Sequence, residues 1–150
     1  MTYQTKITVR FGETDALGHV NNVSYYIYFE QARVDFMKEL GFHIGKKPGD
    51  LSFVVVSTSC DYIKQAFFDQ NLNVETYVSK IGNKSFVLNH DIFDEQSGDV
   101  IAKGKSVTVV FEPKNNRALP IPEQLKGKLT EQIEDPEKIE KKAARGAFGQ

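Results

Sequence analysis

The chain has 150 residues, of which 40% are hydrophobic and 26% charged. That balance is typical of one globular domain and excludes disorder of the whole chain. A net charge of −1 excludes an overall field that would attract nucleic acid, and a single cysteine excludes an intramolecular disulfide. We expect a soluble protein of the reducing cytoplasm, because no secretion signal opens the sequence and no run approaches the roughly 18 apolar residues of a membrane span.

The first half of the chain predicts a strand, a loop and one long helix. Over residues 5–11, apolar side chains occupy every second position, which is the period of a half-buried strand; they are Ile7, Val9 and Phe11. Apolar residues at helical spacing then predict a helix over residues 26–40; they are Tyr26, Phe29, Phe36, Met37 and Leu40. Gly41 stands where a left-handed helix end belongs.

The second half of the chain predicts strands almost throughout. Segments rich in Val, Ile, Phe, Tyr and Thr fall at residues 53–63, 72–81, 85–93 and 100–112. Short turns such as Gly82-Asn83 join neighbours, so these strands should run antiparallel. A short helix is expected over residues 123–133. The sequence therefore predicts one α+β domain over residues 1–134, followed by a charged tail over residues 135–150.

Chemistry is concentrated in the loop that precedes the long helix. This loop carries the carboxylate of Asp15, the imidazole of His19, and Gly18, which would let a ligand approach the backbone closely. Backbone N–H groups at a helix start lack internal partners and can polarise a carbonyl oxygen. An ionised aspartate beside them can attack an acyl carbon or activate water. By spacing alone, however, an aspartate at this place is more often a cap or a turn former.

The stretch from Phe11 to Arg33 resembles the signature of hotdog-fold thioesterases related to 4-hydroxybenzoyl-CoA thioesterase. It combines Asp15, a Gly-His-Val-Asn-Asn run that ends at Asn22, Tyr25, and a Glu-x-x-Arg pair in that order. The resemblance covers about residues 5–125. It implies an antiparallel sheet of about five strands wrapped around the long helix. It also implies two subunits paired edge to edge, with the active site between them.

The same resemblance implies hydrolysis of an acyl-CoA thioester without cofactor or metal. Asp15 matches the catalytic carboxylate, and the backbone N–H near Asn22 matches the group that polarises the carbonyl. His19 has two open roles, a hydrogen bond in the active site or a structural contact to the loop backbone. Tyr25 is expected to help set the depth of the acyl pocket. Around the Gly82-Asn83 turn, phosphate binding by CoA and a solvated turn remain alternatives for Lys80, Lys84 and Ser85.

Other reactive residues have simpler explanations. A metal site needs three or four ligands, and the loop offers two. His90 shares a strand face with apolar residues and is expected to be a core histidine, while His43 is expected at the surface or as a cap. Cys60 is expected to be a buried, inert thiol. Glu30 and Arg33 are one helical turn apart and can pair, although Glu30 is also an alternative catalytic carboxylate.

Two other functions remain open from the sequence. One is a hydratase or dehydratase on the same fold, and the other is a protein that binds an acyl thioester without hydrolysing it. The expected partners are an acyl-CoA substrate and further copies of the chain, as a homodimer or a dimer of dimers. No membrane is expected, because no long apolar run occurs. No nucleic acid is expected, because the basic residues of the stretch 138–145 are interleaved with Glu137 and Glu140. The sequence does not specify the acyl chain, nor whether CoA or an acyl carrier protein supplies the thiol.

Overall fold

The computed structural model describes residues 2–42 and 52–133. Within these residues the chain forms six strands and two helices, with a 3-10 turn at Phe11–Glu13. The strands are β1 Tyr3–Thr8, β2 Ser52–Tyr62, β3 Asn71–Ile81, β4 Ser85–Asp94, β5 Val100–Glu112 and β6 Arg117–Ala118, and the helices are α1 Ser24–Glu39 and α2 Glu123–Glu131. The expected tail over residues 135–150 and His43 lie outside the described residues.

All neighbouring strands of the sheet are antiparallel. Their order is β1-β3-β4-β5-β2, and the short β6 pairs with β5. The predicted α+β fold and its four long strands are confirmed, with strand ends that differ by one residue at most. β6 was not predicted, because two residues carry no readable period. No helix among the described residues is long and apolar enough to cross a membrane.

α1 packs one face against the inner side of this sheet. Its buried side chains recur at helical spacing and belong to two core clusters; they include Tyr25, Tyr28, Phe29, Ala32, Phe36 and Met37. The prediction that Tyr26 lies on the apolar face was wrong. Tyr26 is 37% exposed, and the buried tyrosines of this turn are Tyr25 and Tyr28. Gly41 ends the helix with φ +86°, as predicted.

The first strand ends earlier than the alternating pattern suggests. Val9 is buried and its backbone pairs with Gln70, but Phe11 is 77% exposed and lies in the 3-10 turn. The prediction for Phe11 was therefore wrong. The chain leaves the sheet here because the Glu13 side chain binds the backbone N–H of Arg10 and closes the turn.

The contact between α1 and β5 depends on a residue without a side chain. The Phe29 ring lies on Gly104 so closely that an added Cβ would be 2.4 Å from the ring. The same ring stacks on His90 with centroids 5.5 Å apart. His90 is fully buried, with Nδ1 at 2.9 Å from the Thr76 hydroxyl, and burial together with the charge of Arg33 lowers its pKa to about 3. The expected core histidine is confirmed, and it is neutral at physiological pH.

We expect Gly104→Ala to destabilise the protein by about 1–3 kcal/mol, because the new methyl group has to displace the buried Phe29 ring. Chemical denaturation measures this change in the free energy of unfolding. Gly127→Ala is the matched control, since a Cβ at Gly127 meets nothing within 4 Å and alanine favours the helix by up to about 1 kcal/mol. Equal stability of the Gly104 variant and the wild type would contradict this account of the interface.

Candidate active site

The loop that carries Asp15 is a compact turn fastened by its own backbone. The N–H of Asp15 donates to the carbonyl of His19 at 2.9 Å, and the N–H of Gly18 donates to the carbonyl of Asp15 at 3.0 Å. Gly18 has φ +87°, a conformation that side chains disfavour, while its Cβ position is open space. A third hydrogen bond joins the N–H of Val20 to the carbonyl of Ala66 at 2.8 Å. The loop is therefore fixed both internally and to the segment after β2.

Glu13 anchors this loop through the hydrogen bonds of its side chain. Its carboxylate accepts hydrogen bonds from Arg10 through the backbone N–H and two guanidinium nitrogens, at 2.7–2.9 Å, and from the Tyr28 hydroxyl at 3.0 Å. Burial acts to raise the pKa of Glu13, but these bonds and the Arg10 charge outweigh it, so the pKa lies below its ordinary value. Glu13 is a buried, ionised carboxylate at neutral pH.

The start of α1 presents an unused donor. Asn21 closes the turn that leads into the helix: its side-chain oxygen accepts from the N–H of Val23 at 3.3 Å, and its carbonyl accepts from the N–H of Ser24 at 2.9 Å. Within residues 2–42 and 52–133, the N–H of Asn22 has no acceptor. An N–H group at the positive end of a helix is suited to hold a carbonyl oxygen or an oxyanion.

A cavity of about 340 Å³ opens between this helix start and the end of β2. Five residues of the loop and helix line one wall, namely Asp15, His19, Val20, Asn22 and Tyr25. The opposite wall comes from the chain around the end of β2, namely Tyr62, Ile63, Lys64 and Gln65. The cavity lining is partly aromatic, because Tyr25 and Tyr62, one from each wall, meet edge to face with ring centroids 5.2 Å apart. An acyl group and a polar reacting centre can therefore occupy the same space.

Asp15 is held in a defined orientation at the cavity wall. One oxygen accepts from the N–H of Leu17 at 2.9 Å, and the other lies 3.2 Å from Nδ1 of His19. Both side chains are partly exposed, so water and a ligand can reach them. His19 also meets the edge of the Phe67 ring at 6.4 Å. His19 thus contacts the Asp15 carboxylate and a ring in the segment after β2, and its role in the reaction stays a prediction.

The structure brings together Asp15, His19, Asn22 and Tyr25 at one cavity, but not the other predicted site residues. Gly18 does not line the cavity. Lys80, Lys84 and Ser85 flank the β3–β4 turn, whereas the Asp15 loop follows β1, whose last residue pairs with the first residue of β3. Along the 11 residues of β3 these ends are about 30 Å apart. Within one chain, the three residues are remote from Asp15.

Sequence reasoning missed the second wall of the cavity. The Tyr62 hydroxyl donates to the backbone carbonyl of Asn22 at 3.0 Å, and Lys64 lies at the mouth, paired with Asp99 at 2.5 Å. These contacts join residues about forty positions apart, so no local spacing indicates them. Glu13 was also missed, because a buried acidic residue that is stabilised by hydrogen bonds leaves no pattern in a sequence.

The remaining candidates do not join this site. Glu30 and Arg33 line a separate cavity of about 270 Å³, and in the described part of the chain they do not form the expected ion pair. Cys60 is half-buried rather than buried, and burial raises the pKa of its thiol to about 11. Among the described residues no three His, Cys, Asp or Glu side chains cluster as metal ligands would.

The fold and the site together define a class of protein. An antiparallel sheet wrapped around one long helix, with a cavity at the helix start lined by Asp15 and Asn22, is the architecture of a hotdog-fold enzyme. Residues 9–129 match the model of the thioesterase-like superfamily. The chain belongs to this superfamily, and the resemblance to hotdog-fold thioesterases is confirmed.

Similar proteins support the same class. The chain is 32% identical to the uncharacterized protein YsmA of Bacillus subtilis, over 79% of this chain and 78% of that protein. It is 28% identical to the long-chain acyl-CoA thioesterase FadM of Escherichia coli, over 87% of this chain and 98% of FadM. A solved structure of a predicted thioesterase from Bacillus stearothermophilus superposes with a TM-score of 0.80 at 32% identity, over 91% and 99% of the two chains.

The state of Cys60 predicts that thiol reagents leave the enzyme active. Because burial raises the pKa of Cys60 to about 11, only a very small fraction is thiolate at pH 7.5. We expect slow alkylation by iodoacetamide at that pH, faster alkylation as the pH approaches 11, and full activity of Cys60→Ser. Mass spectrometry follows the alkylation, with the urea-unfolded protein as the reactive control. Inactivation that keeps pace with rapid labelling at pH 7.5 would contradict the assignment of an inert thiol.

Proposed function

We propose that the protein hydrolyses acyl-CoA thioesters to a free carboxylic acid and CoA, with Asp15 as its catalytic carboxylate. The observation that carries this proposal is the shared cavity, which is lined by Asp15 and by Asn22, whose N–H has no acceptor among the described residues. The name of FadM, an acyl-CoA thioesterase similar over nearly its whole length, supports CoA as the thiol carrier. We place this reaction in the cytoplasm, as expected from the sequence.

In the proposed reaction, the thioester carbonyl oxygen accepts a hydrogen bond from the N–H of Asn22. This contact strengthens as negative charge develops on that oxygen, which lowers the barrier. Asp15 then acts on the carbonyl carbon in one of two ways. It attacks directly, forming an acyl anhydride that water hydrolyses, or it takes a proton from an attacking water. Both routes consume one water molecule and release CoA as the leaving thiolate.

His19 would act through Asp15 rather than on the substrate. Its Nδ1, when protonated, donates to one carboxylate oxygen at 3.2 Å, while the N–H of Leu17 holds the other oxygen. Each oxygen keeps a further lone pair for the reaction. Tyr25 and Tyr62 supply the apolar surface beside the reacting atoms. A carboxylate held by two donors loses little freedom when the substrate binds, which favours a reactive geometry.

We also propose that the working unit is a homodimer or a dimer of dimers. β2 lies at an end of the strand order, and its exposed side chains include Val54 and Val56, which are 40% and 59% exposed. An open edge strand offers unpaired backbone groups with which a strand of another chain can pair. Antiparallel pairing of two β2 strands would reverse one copy relative to the other. Lys80, Lys84 and Ser85 of one copy could then approach the cavity of its partner and contact the phosphates of CoA.

Replacing the proposed catalytic group tests the chemistry. We expect Asp15→Asn to keep the fold and acyl-CoA binding but to lower kcat by a factor of about 100 or more. Asp69→Asn is the matched control, since it makes the same change at an exposed position outside the cavity. Release of free thiol measures kcat, and calorimetry measures binding. Near-wild-type turnover of the Asp15 variant would remove the residue from this role, and parallel loss in Glu30→Gln would transfer it to the helix.

The lysine proposal has its own test, because the relevant lysines must come from another copy. We expect Lys80→Ala with Lys84→Ala to raise KM for acyl-CoA severalfold with kcat nearly unchanged, and the difference to shrink at high salt. Mixing this double variant with Asp15→Asn should restore low-KM activity, since half of the mixed sites then combine Asp15 with intact lysines. Equal losses on a short thioester lacking the nucleotide, or no restoration on mixing, would overturn the assignment.

A further inference from the structure

Glu13 stands at the junction of the Asp15 loop and the start of α1. It ends the 3-10 turn, two residues before Asp15, and only 7% of it is exposed. A buried carboxylate is costly unless it is fully hydrogen-bonded. Here Arg10 contributes three donors and Tyr28 a fourth, so the cost is offset by charge-assisted bonds. The turn immediately before Asp15 is therefore fixed by an ionised group.

The backbone of the same residue holds the start of α1. The carbonyl oxygen of Glu13 accepts from the N–H of Asn21 at 2.9 Å and from the Ser24 hydroxyl at 2.9 Å. Asn21 immediately precedes Asn22, whose N–H is the unused donor, and Ser24 is the first residue of the helix. These two hydrogen bonds to the Glu13 carbonyl therefore hold the backbone on both sides of the Asn22 N–H.

The side chain of Tyr28 completes the connection from within the helix. Tyr28 is 1% exposed, one turn after Ser24, and its hydroxyl donates to Glu13. Burial and the hydrogen bond with Glu13 raise the pKa of Tyr28, so the hydroxyl keeps the proton that it donates. Asp15 and Asn22 are therefore both linked to Glu13, Asp15 through the two peptide groups that follow Glu13 and Asn22 through the hydrogen bond of Asn21.

We propose that Glu13 is a positioning residue that sets the distance between the Asp15 carboxylate and the N–H of Asn22. The inference rests on the proposed function, and it adds a residue outside the cavity to the machinery of that reaction. Glutamine at this position has the same shape but an NH₂ group in place of one oxygen. That group would face donors from Arg10 or Tyr28, so one contact would become donor against donor. The turn would then relax, and both reacting groups would lose their alignment.

The experiment compares Glu13→Gln with a variant that is merely destabilised. Leu129→Ala is the control, because Leu129 is fully buried in the core cluster that contains neither Tyr25 nor Tyr28. Both variants are assayed with an acyl-CoA at a temperature where circular dichroism shows them folded. We expect Glu13→Gln to lower kcat by about 10- to 100-fold with KM within about threefold, as misalignment of reacting groups does. Leu129→Ala should keep kcat near the wild-type value.

Two further measurements make the outcome decisive. Tyr28→Phe removes one of the four donors and leaves the charge pair, so kcat should fall in the same direction by a smaller factor. In NMR spectra, the amide resonances of Asp15 and Asn22 should shift in Glu13→Gln and not in Leu129→Ala. Unchanged amide resonances, or equal kcat in the two folded variants, would overturn the proposal. Absence of hydrolysis by the wild type would instead contradict the proposed function, while the amide shifts would still test the positioning.

Discussion

An α-helix leaves its first backbone N–H groups without partners inside the helix, and this property is the constraint around which the site is built. In the turn that leads into α1, Asn21 accepts from the N–H groups of Val23 and Ser24, and the N–H of Asn22, a residue that lines the cavity, has no acceptor among the described residues. The donor is useful only if the helix cannot turn about its axis. Burial of the Phe29 ring against Gly104 and His90 prevents that rotation, so the core packing also fixes the orientation of the site.

If the proposed function holds, one chain provides only part of a binding site for a long, charged ligand. The cavity at the helix start is partly aromatic and lies at the end of β2, which is the last strand in the sheet order. The exposed lysines of the β3–β4 turn lie at the other end of the strands. Antiparallel pairing of the edge strands would bring opposite ends together. On this account, assembly completes a site for the nucleotide and does not create the catalytic groups.

Local patterns predicted most of the fold, because alternation in the long strands and helical spacing in α1 are short-range properties. The prediction failed for Phe11 and Tyr26, where buried neighbours and the Glu13 contacts decide the conformation. Asp15, His19 and Asn22 could be predicted because they lie close together in a sequence that resembles a known signature. Tyr62 and Glu13 could not, since their importance comes from hydrogen bonds that appear only when distant segments meet.

In the proposed reaction the thioester lies between the Asp15 carboxylate and the N–H of Asn22. The most direct measurement is a crystal structure with an acyl-CoA analogue whose thioester sulfur is replaced by a methylene group, which cannot be hydrolysed. The account predicts the analogue's carbonyl oxygen within about 3 Å of the Asn22 nitrogen, with its carbonyl carbon beside Asp15. An analogue bound with its carbonyl away from both groups, or in the cavity of Glu30 and Arg33, would contradict the account.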